Sequence, residues 1–270
     1  MNVSDEFPRS IALPGDIADA LERLRPRFPH RAVPRVLYFQ SVGSTNDLAL
    51  RLAASEPASA DGHAVVAEQQ TAGRGRLGRA WFSVPGAGLY VSVIVQPSHQ
   101  VVTLAAAVAF ADALRACTFL PIEIKWPNDL MIAGRKVAGI LTEGVGTTRI
   151  EHSIVGVGIN LRSAAYPPEF AGRATSIEAE LGRPIDRASL LAECLASFAE
   201  TMAQLRAGPE ATVLDRWRTL APASQGAPVE WLAPDGVRLG TTAGLDADGA
   251  LLVETAAGIE RVIAGEVRWL

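Results

Sequence analysis

Two cysteines in 270 residues, Cys117 and Cys194, cannot build a disulfide framework, and both fall in apolar helical or helix-end patterns. Buried, reduced thiols are the expectation, with a cytoplasmic setting. Histidine is scarce too: His30, His63, His99 and His152 are scattered and match no metal-ligand spacing, so no permanently bound metal is expected. No apolar run reaches the roughly 20 residues needed to cross a bilayer, so no membrane role is expected. Met1 to Ser10 carry acids and a proline where a signal peptide has a basic start and an apolar stretch. A G-x-S-x-G elbow and a reactive-cysteine motif are also missing, so no side chain is marked as a nucleophile. The net charge of −4 argues against a general nucleic-acid binder.

The scarcest basic residue is lysine. Of 25 Lys plus Arg, only Lys125 and Lys136 are lysines, eleven positions apart. A bias toward arginine codons explains a general shortage but not why both exceptions share one segment. Lysine is a compact point charge on a flexible stem, unlike the planar guanidinium fork. At least one of these positions is therefore expected to need an ammonium.

Arginine and glycine, by contrast, are concentrated in Gly73-Arg74-Gly75-Arg76-Leu77-Gly78-Arg79. Guanidinium groups suit carboxylate and phosphate oxygens, and glycine lets a ligand approach the main chain. An anion-wrapping loop is the natural reading. The string also matches G-x-G-x-x-G, whose dinucleotide role requires a strand before it and a helix after it. Ala64 to Ala67 supply the strand. After Arg79, however, Ala80-Trp81-Phe82-Ser83-Val84-Pro85-Gly86 has no helical period, and Leu89, Val91, Val93 and Val95 alternate as a strand. Strand, loop, strand excludes the Rossmann unit.

Along the chain, Asp16 to Arg25 reads as a short helix with Ile17, Leu21 and Leu24 on one face, and Val36 to Phe39 as a strand. Ser44 or Thr45 precedes a helical run from Leu48 to Ala54, either capping it or leaving its free amides to a ligand. Val101 to Ala116 forms an apolar, alanine-rich helix, and Ile122 to Trp126 a strand ending at Pro127-Asn128-Asp129. Leu130 to Ile132 and Val137 to Leu141 flank a hairpin turn at Ala133-Gly134-Arg135. Ile154 to Leu161 is a strand whose Gly156 and Gly158 leave one face bare, as where a ligand or backbone comes close. Exposed strand edges near Val91 or Ile154 are candidates for dimerisation or for accepting a partner strand. Tyr166 to Gly172 reads as loop; Asp186 caps a long helix, and a further helix follows Pro209. Beyond Ala221, turn signals at Pro234-Asp235-Gly236, Asp246 to Gly249 and Ala257-Gly258 recur about every ten residues, the rhythm of a small β module. The expected fold class is α+β: an extension over 1–35, a mixed-sheet domain over 36–221, and a compact all-β domain over 222–270.

Four segments together resemble the biotin protein ligases: Gly43 to Asn46; Glu68 to Ala72 running into GRGRLGR and Trp81; Lys125 to Asp129 with Gly134 to Leu141; and Gly156 to Asn160. The resemblance implies a catalytic domain like those of class II aminoacyl-tRNA synthetases and biotin synthetases, followed by an SH3-like β-barrel. It also implies activation of biotin by ATP to biotinyl-5′-AMP and pyrophosphate, then transfer to a lysine of a biotin carboxyl carrier protein. On that likeness Ser44, Thr45, Asn46 and Gln70 bind the biotin ring, and Arg74, Gly75 and Arg76 belong to a loop that is mobile when empty and closes over the ligand. Lys136 meets the biotin carboxylate and the phosphate, and with Arg74 and Arg76 makes up the catalytic set. Gly73, Arg79, Trp81, Gly156, Ile159 and Asn160 line the adenylate, with Lys125, Asn128 and Asp129 near ATP and its magnesium, Asp129 as metal ligand. Leu77 stands where some members carry another arginine. One convincing helix precedes the first strand, where DNA docking needs a pair, so a ligase without repressor function or DNA partner is expected, as monomer or homodimer. Rival readings are a lipoate–protein ligase, a non-catalytic biotin sensor and a nucleic-acid-binding regulator.

Overall fold

The computed structural model describes residues 8–56, 58–96, 99–145, 152–170, 172–233 and 236–270. Met1 to Phe7 and the Pro234-Asp235 part of the expected turn lie outside these residues.

The larger unit is one seven-stranded sheet. Its strands are β1 (Val36–Phe39), β2 (Ala64–Ala67), β3 (Gly88–Val95), β4 (Glu123–Lys125), β5 (Asp129–Ile132), β6 (Arg135–Val145) and β7 (His152–Asn160), in the order β1-β2-β3-β7-β6-β5-β4. Only β1 and β2 run parallel, joined over the sheet by helix α2 (Thr45–Ser55); the other neighbours are antiparallel. The sheet is therefore mixed, as expected. The edge reading near Val91 and Ile154 is overturned: β3 and β7 lie at the centre and pair with each other and with a further neighbour on their outer sides.

Strand alternation sorts side chains to two faces. Ala64 and Val66 of β2, Leu89 to Val95 at odd positions of β3, and Val155, Val157 and Ile159 of β7 enter one large apolar core. Helices α1 (Gly15–Arg23), α3 (Val102–Thr118), α5 (Arg187–Ala207) and α6 (Glu210–Leu220) contribute to that core, and the short α4 (Ile177–Leu181) adds Ile177. The opposite face carries a smaller core beneath α2, made from Leu48, Ala49, Leu52, Val65, Ala67, Ile94 and Ile154. The alanines of α3 admit a close approach of α5, where Phe110 stacks on Phe198 with centroids 5.6 Å apart.

The N-terminal segment is part of this body. Ile17, Ala20 and Leu21 of α1 are buried in the large core. Arg27, in a short 3-10 turn after α1, donates to Glu193 at 2.6 and 2.7 Å and to Glu200 at 2.7 and 2.8 Å, both on α5. Among the described residues before β1, α1 is the one α-helix. Asp186 caps α5 as expected, accepting from the amides of Ala188 and Ser189. Cys117 and Cys194 are free thiols; burial pushes Cys117 up to about 11 and Cys194 well above its usual value.

Five antiparallel strands form the C-terminal module: β8 (Gln225–Ala233), β9 (Gly236–Leu245), β10 (Leu251–Thr255), β11 (Gly258–Val262) and β12 (Val267–Trp269), in the order β11-β10-β9-β8-β12. Its inner residues Val229, Trp231, Leu251, Val253 and Val267 belong to the same continuous core as the large sheet. The Trp126 indole N–H donates to the Gly249 carbonyl at 3.1 Å, tying the module to the end of β4.

Candidate functional site

On the α2 face of the sheet a cavity of about 350 Å³ opens between the arginine loop, β6, β7 and the last turn of the C-terminal module. Its floor is bare by design of the sequence. Gly139, Gly156 and Gly158 fall on this face, and a Cβ at Gly139 would meet Trp81 Cζ3 at 2.9 Å. A Cβ at Gly158 would overlap the Trp81 indole, and one at Gly156 would overlap the Asn46 amide. The two aromatic and amide side chains thus lie directly on the sheet backbone.

The loop over this floor is folded, not a loose strap. Trp81 N donates to Gly73 O at 2.8 Å, Gly75 N to Arg79 O at 2.7 Å, and Arg76 to Gly78 form a 3-10 turn whose Leu77 has φ 57° and an exposed side chain. Gly73 cannot carry a side chain, because its Cβ would stand 2.6 Å from Trp81 O. Each arginine of the loop is engaged. Arg74 grips Asp47 with both terminal nitrogens, at 2.7 and 2.8 Å, and donates to Glu143 at 3.1 Å. Arg76 donates to Asn128 Oδ1 at 3.1 Å and Gly265 O at 3.3 Å, and Arg79 pairs with Glu266. Arg74 in particular is paired with two carboxylates.

At one end the cavity is polar and neutral. Helix α2 begins three residues earlier than expected, and Ser44 makes no side-chain cap. Thr45 and Asn46 instead face the sheet. Thr45 donates to Gln70 Oε1 through its amide at 2.9 Å and its hydroxyl at 3.0 Å, while Gln70 Nε2 donates to Ser83 at 3.3 Å. Buried Ser92 on β3 lies 2.7 Å from Thr45 Oγ1 and 2.6 Å from Asn46 Oδ1.

The other end is cationic. Lys136 Nζ sits 2.6 Å from Asp129 Oδ1 and 5.3 Å from the Trp81 ring centre. Lys125 Nζ lies 4.8 Å from the Trp269 ring centre. The pairing of the two lysines in sequence becomes a pairing in space around this cavity. Burial lowers Lys125 from the usual lysine value, with Lys136 adding repulsion and Asp129 and Glu266 partly offsetting it. Burial also lowers Arg76. Desolvated cations with incomplete compensation are a standing attraction for an anion. Trp81 Nε1 is buried with no hydrogen-bond partner among the described residues, an unused donor beside the same space. Asn128 is fixed by its donation to Ile140 O at 2.7 Å, and Asn160 by its donation to Thr175 O at 3.0 Å.

Of the residues expected at the site, Ser44, Thr45, Asn46, Gln70, Arg74, Gly75, Arg76, Arg79, Trp81, Lys125, Asn128, Asp129, Lys136, Gly156 and Asn160 line this one cavity. Gly73 lies behind the lining, under Trp81. Ile159 is a correction: alternation along β7 turns its side chain into the large core, leaving the cavity to Gly158 and Asn160. Sequence reading missed Asp47 and Glu143, the acids that hold Arg74, and Glu266. It also missed the wall formed by Tyr166, Pro167, Phe170 and Arg173, where Arg173 stacks on Phe170 at 5.1 Å. Their signal was weak, since these residues sit in stretches without period or motif.

Residues 38–160 match the biotin/lipoate A/B protein ligase family, and residues 226–268 match the biotin protein ligase C-terminal domain. A biotin–acetyl-CoA-carboxylase ligase from Paracoccus denitrificans is 34% identical over 235 residues, 83% of this chain and 96% of that one. The bifunctional ligase/repressor BirA of Bacillus spizizenii is 33% identical over 240 residues, 86% of this chain and 73% of that protein. The structure of a biotin protein ligase from Aquifex aeolicus in complex with biotin and ATP superposes with a TM-score of 0.76 at 30% identity, covering 87% of this chain and 99% of that one.

Proposed function

The chain belongs to the biotin protein ligase family, and from that premise we propose how its cavity divides the chemistry. It is an ATP-dependent ligase whose substrates are biotin and ATP. In the first step a biotin carboxylate oxygen attacks the α-phosphorus of ATP. The bond to the bridging oxygen breaks, and pyrophosphate leaves with the electron pair. In the second step a lysine amine of the carboxylase's carrier domain attacks the acyl carbon, and AMP departs as the amine loses its proton.

We assign the ring of biotin to the neutral end, against Thr45, Asn46, Gln70 and Ser44, whose hydrogen bonds run across α2, β2 and β3. The carboxylate and phosphate meet at the cationic end. Two anions repel as they approach, so positive groups fixed where charge grows stabilise the attack selectively. Lys136, Arg76 and Lys125 are the groups for this, and an incoming anion displaces Asp129 from Lys136. Arg74 holds the loop, and Trp81 on its glycine floor, with Asn160, borders the adenylate. Magnesium enters with ATP as part of the substrate, with Asp129 the carboxylate nearest Lys136 to meet it. The reduced thiols fit a cytoplasmic place of work.

The observation that carries this division is the contrast between ends: a chain of neutral hydrogen bonds at one, and at the other the desolvated Lys125 with Lys136 beside Asp129. Biotin-dependent ATP–pyrophosphate exchange tests it, followed by transfer to a carrier domain read with streptavidin. Exchange with biotin but not lipoate, lost in Lys136→Ala, is expected. Exchange that Lys136→Ala leaves unchanged removes Lys136 from the first step.

A further inference from the structure

Glu143 stands outside the residues that the proposed chemistry uses, yet it touches both halves of the site. Its Oε2 accepts from Asn46 Nδ2 at 2.5 Å, and both its oxygens accept from Arg74 at 3.1 Å. We propose that Glu143 is a positioning residue that fixes which way the Asn46 amide faces, and so sets the hydrogen-bonding polarity of the biotin-ring pocket. This rests on the assignment of Asn46 to biotin.

A carboxylate ion-paired to Arg74 has oxygens that only accept, so Asn46 must turn its nitrogen toward Glu143 and its oxygen toward Ser92. Ser92 has one hydroxyl proton, and the Asn46 oxygen, 2.6 Å away, can only accept it. The Ser92 oxygen is then left as an acceptor facing Thr45 Oγ1 at 2.7 Å. The single Thr45 hydroxyl proton is shared between that oxygen and Gln70 Oε1, while the Thr45 amide donates to Gln70 Oε1 in either case and keeps the Gln70 nitrogen toward Ser83. Glu143, with the Leu141 carbonyl that also accepts from Asn46 Nδ2 at 3.4 Å, therefore sets the sense of the Asn46 amide and of the Ser92 hydroxyl beside it. Sterics cannot do this, because an amide has nearly the same shape after a flip. Asn46 is itself buried and pressed against Gly156, so an amide in the wrong sense has no water to rescue it.

The test is a polarity swap, read as the KM for biotin in pyrophosphate exchange, with thermal unfolding as the folding control. Glu143→Gln keeps size and can offer a donor to Asn46, so the amide keeps only its long bond to the Leu141 carbonyl to hold its sense; the KM should rise by about ten- to a hundred-fold, the range for one mispaired buried polar group. Asn46→Asp alone sets two carboxylates face to face and should fail similarly. In the double variant the new glutamine donates to the new aspartate and still accepts from Arg74, and the aspartate still accepts from Ser92, so part of the loss should be recovered and the KM should be lower than the two single losses multiply to, short of wild type because the Leu141 carbonyl faces the same position. A purely structural contribution of Glu143 gives additive losses instead, and additive losses overturn the proposal. So does an unchanged KM in Glu143→Gln. Asn46→Ala separates the layers: if it binds biotin like wild type, the assignment of Asn46 fails, whereas a raised KM there with a silent Glu143→Gln sinks only the role of Glu143.

Discussion

Gly158→Ala puts the glycine floor under direct test. The position is inside β7, two residues from its end and paired on both sides, with no unusual backbone demand. Replacing a strand glycine with alanine should by itself stabilise the fold by roughly 0.5–1 kcal/mol. The methyl group, however, would stand 2.6 Å from Trp81 Cζ2. Cε2 and Nε1 of the same ring lie nearer still, and carbon atoms in ordinary contact lie about 3.5–4.0 Å apart, so the indole must retreat by more than ~1 Å. It can do so at little cost to folding, because its N–H has no partner to lose. The cost therefore appears in the ligand complex. A misplacement of about 1 Å in a positioning group is worth roughly 10²-fold in rate, or about 2.7 kcal/mol at 1.36 kcal/mol per factor of ten. Lys136, which lies over the same ring, moves with it.

The expected result is pyrophosphate exchange reduced by about a hundred-fold, with unfolding temperature equal to or above wild type. Gly139→Ala should be milder. Its Cβ would meet Trp81 Cζ3 at 2.9 Å but otherwise only the flexible end of Lys136, at 3.0 Å. Gly15→Ala, at the open start of α1 with nothing nearby, serves as the neutral control. Exchange within about twofold of wild type in Gly158→Ala, or a larger loss in Gly139→Ala, would refute the reasoning from the floor.

Arg76→Ala removes the loop's links to Asn128 and Gly265, so biotinyl-adenylate should dissociate at least about tenfold faster on rapid gel filtration; equal retention would show that those links do not hold the intermediate. Lys125 is charged below its pKa, and burial lowers that pKa, so its charge is lost on the alkaline side earlier than for an ordinary lysine. The kcat/KM for ATP should therefore fall at alkaline pH in wild type and extend to higher pH in Lys125→Arg; coincident profiles would clear Lys125. Leu21→Ala opens a cavity where α1 meets the core, and should cost about 2–5 kcal/mol in denaturant unfolding. A near-neutral value would mean that the N-terminal segment is not part of the folded body.

What the sequence revealed, and what it hid, divides by range. Strands β2, β3 and β7 and helices α3, α5 and α6 were legible because their periods are local and strong. The exclusion of a dinucleotide loop held for the same reason: β3 follows the glycines where a helix was required. The start of α2 was misjudged because capping is a local rule. The groups that compete for Thr45 and Asn46 come from Gln70, Ser92 and Glu143, on other strands. The supposed edges at Val91 and Ile154 failed for a similar reason, since β3 finds its partner in β7 far along the chain, Val91 facing Val157 and Ile94 facing Ile154. The acids that occupy Arg74 are 27 and 69 residues away in sequence, and nothing near them marks them as partners.

Lys136 shows how rarity in composition and geometry in space can carry separate information. Its scarcity announced a chemical need, but alternation alone sends it the wrong way. Ala138 and Ile140 of β6 are buried in the large core, and two residues back along a regular strand Lys136 would join them. The pairing of β5 with β6 breaks this rule: Leu130 faces Ala138, and Met131 faces Lys136, so Val137 is an extra residue in the ladder. Such a bulge reverses the sense of alternation and re-aims the side chain beyond it. Val137 is therefore buried in the core while Lys136 emerges on the cavity face, with its backbone held by Arg173 O and Thr175 N at 2.9 and 2.8 Å. The stretch Lys136-Val137-Ala138 reads the same with or without the bulge, because both flanking residues of Lys136 and the core positions beyond are compatible with a strand. Only the register against β5, set by the tight turn at Ala133 and Gly134 with φ of 48° and 74°, decides that the ammonium faces Asp129 and Trp81 instead of apolar packing.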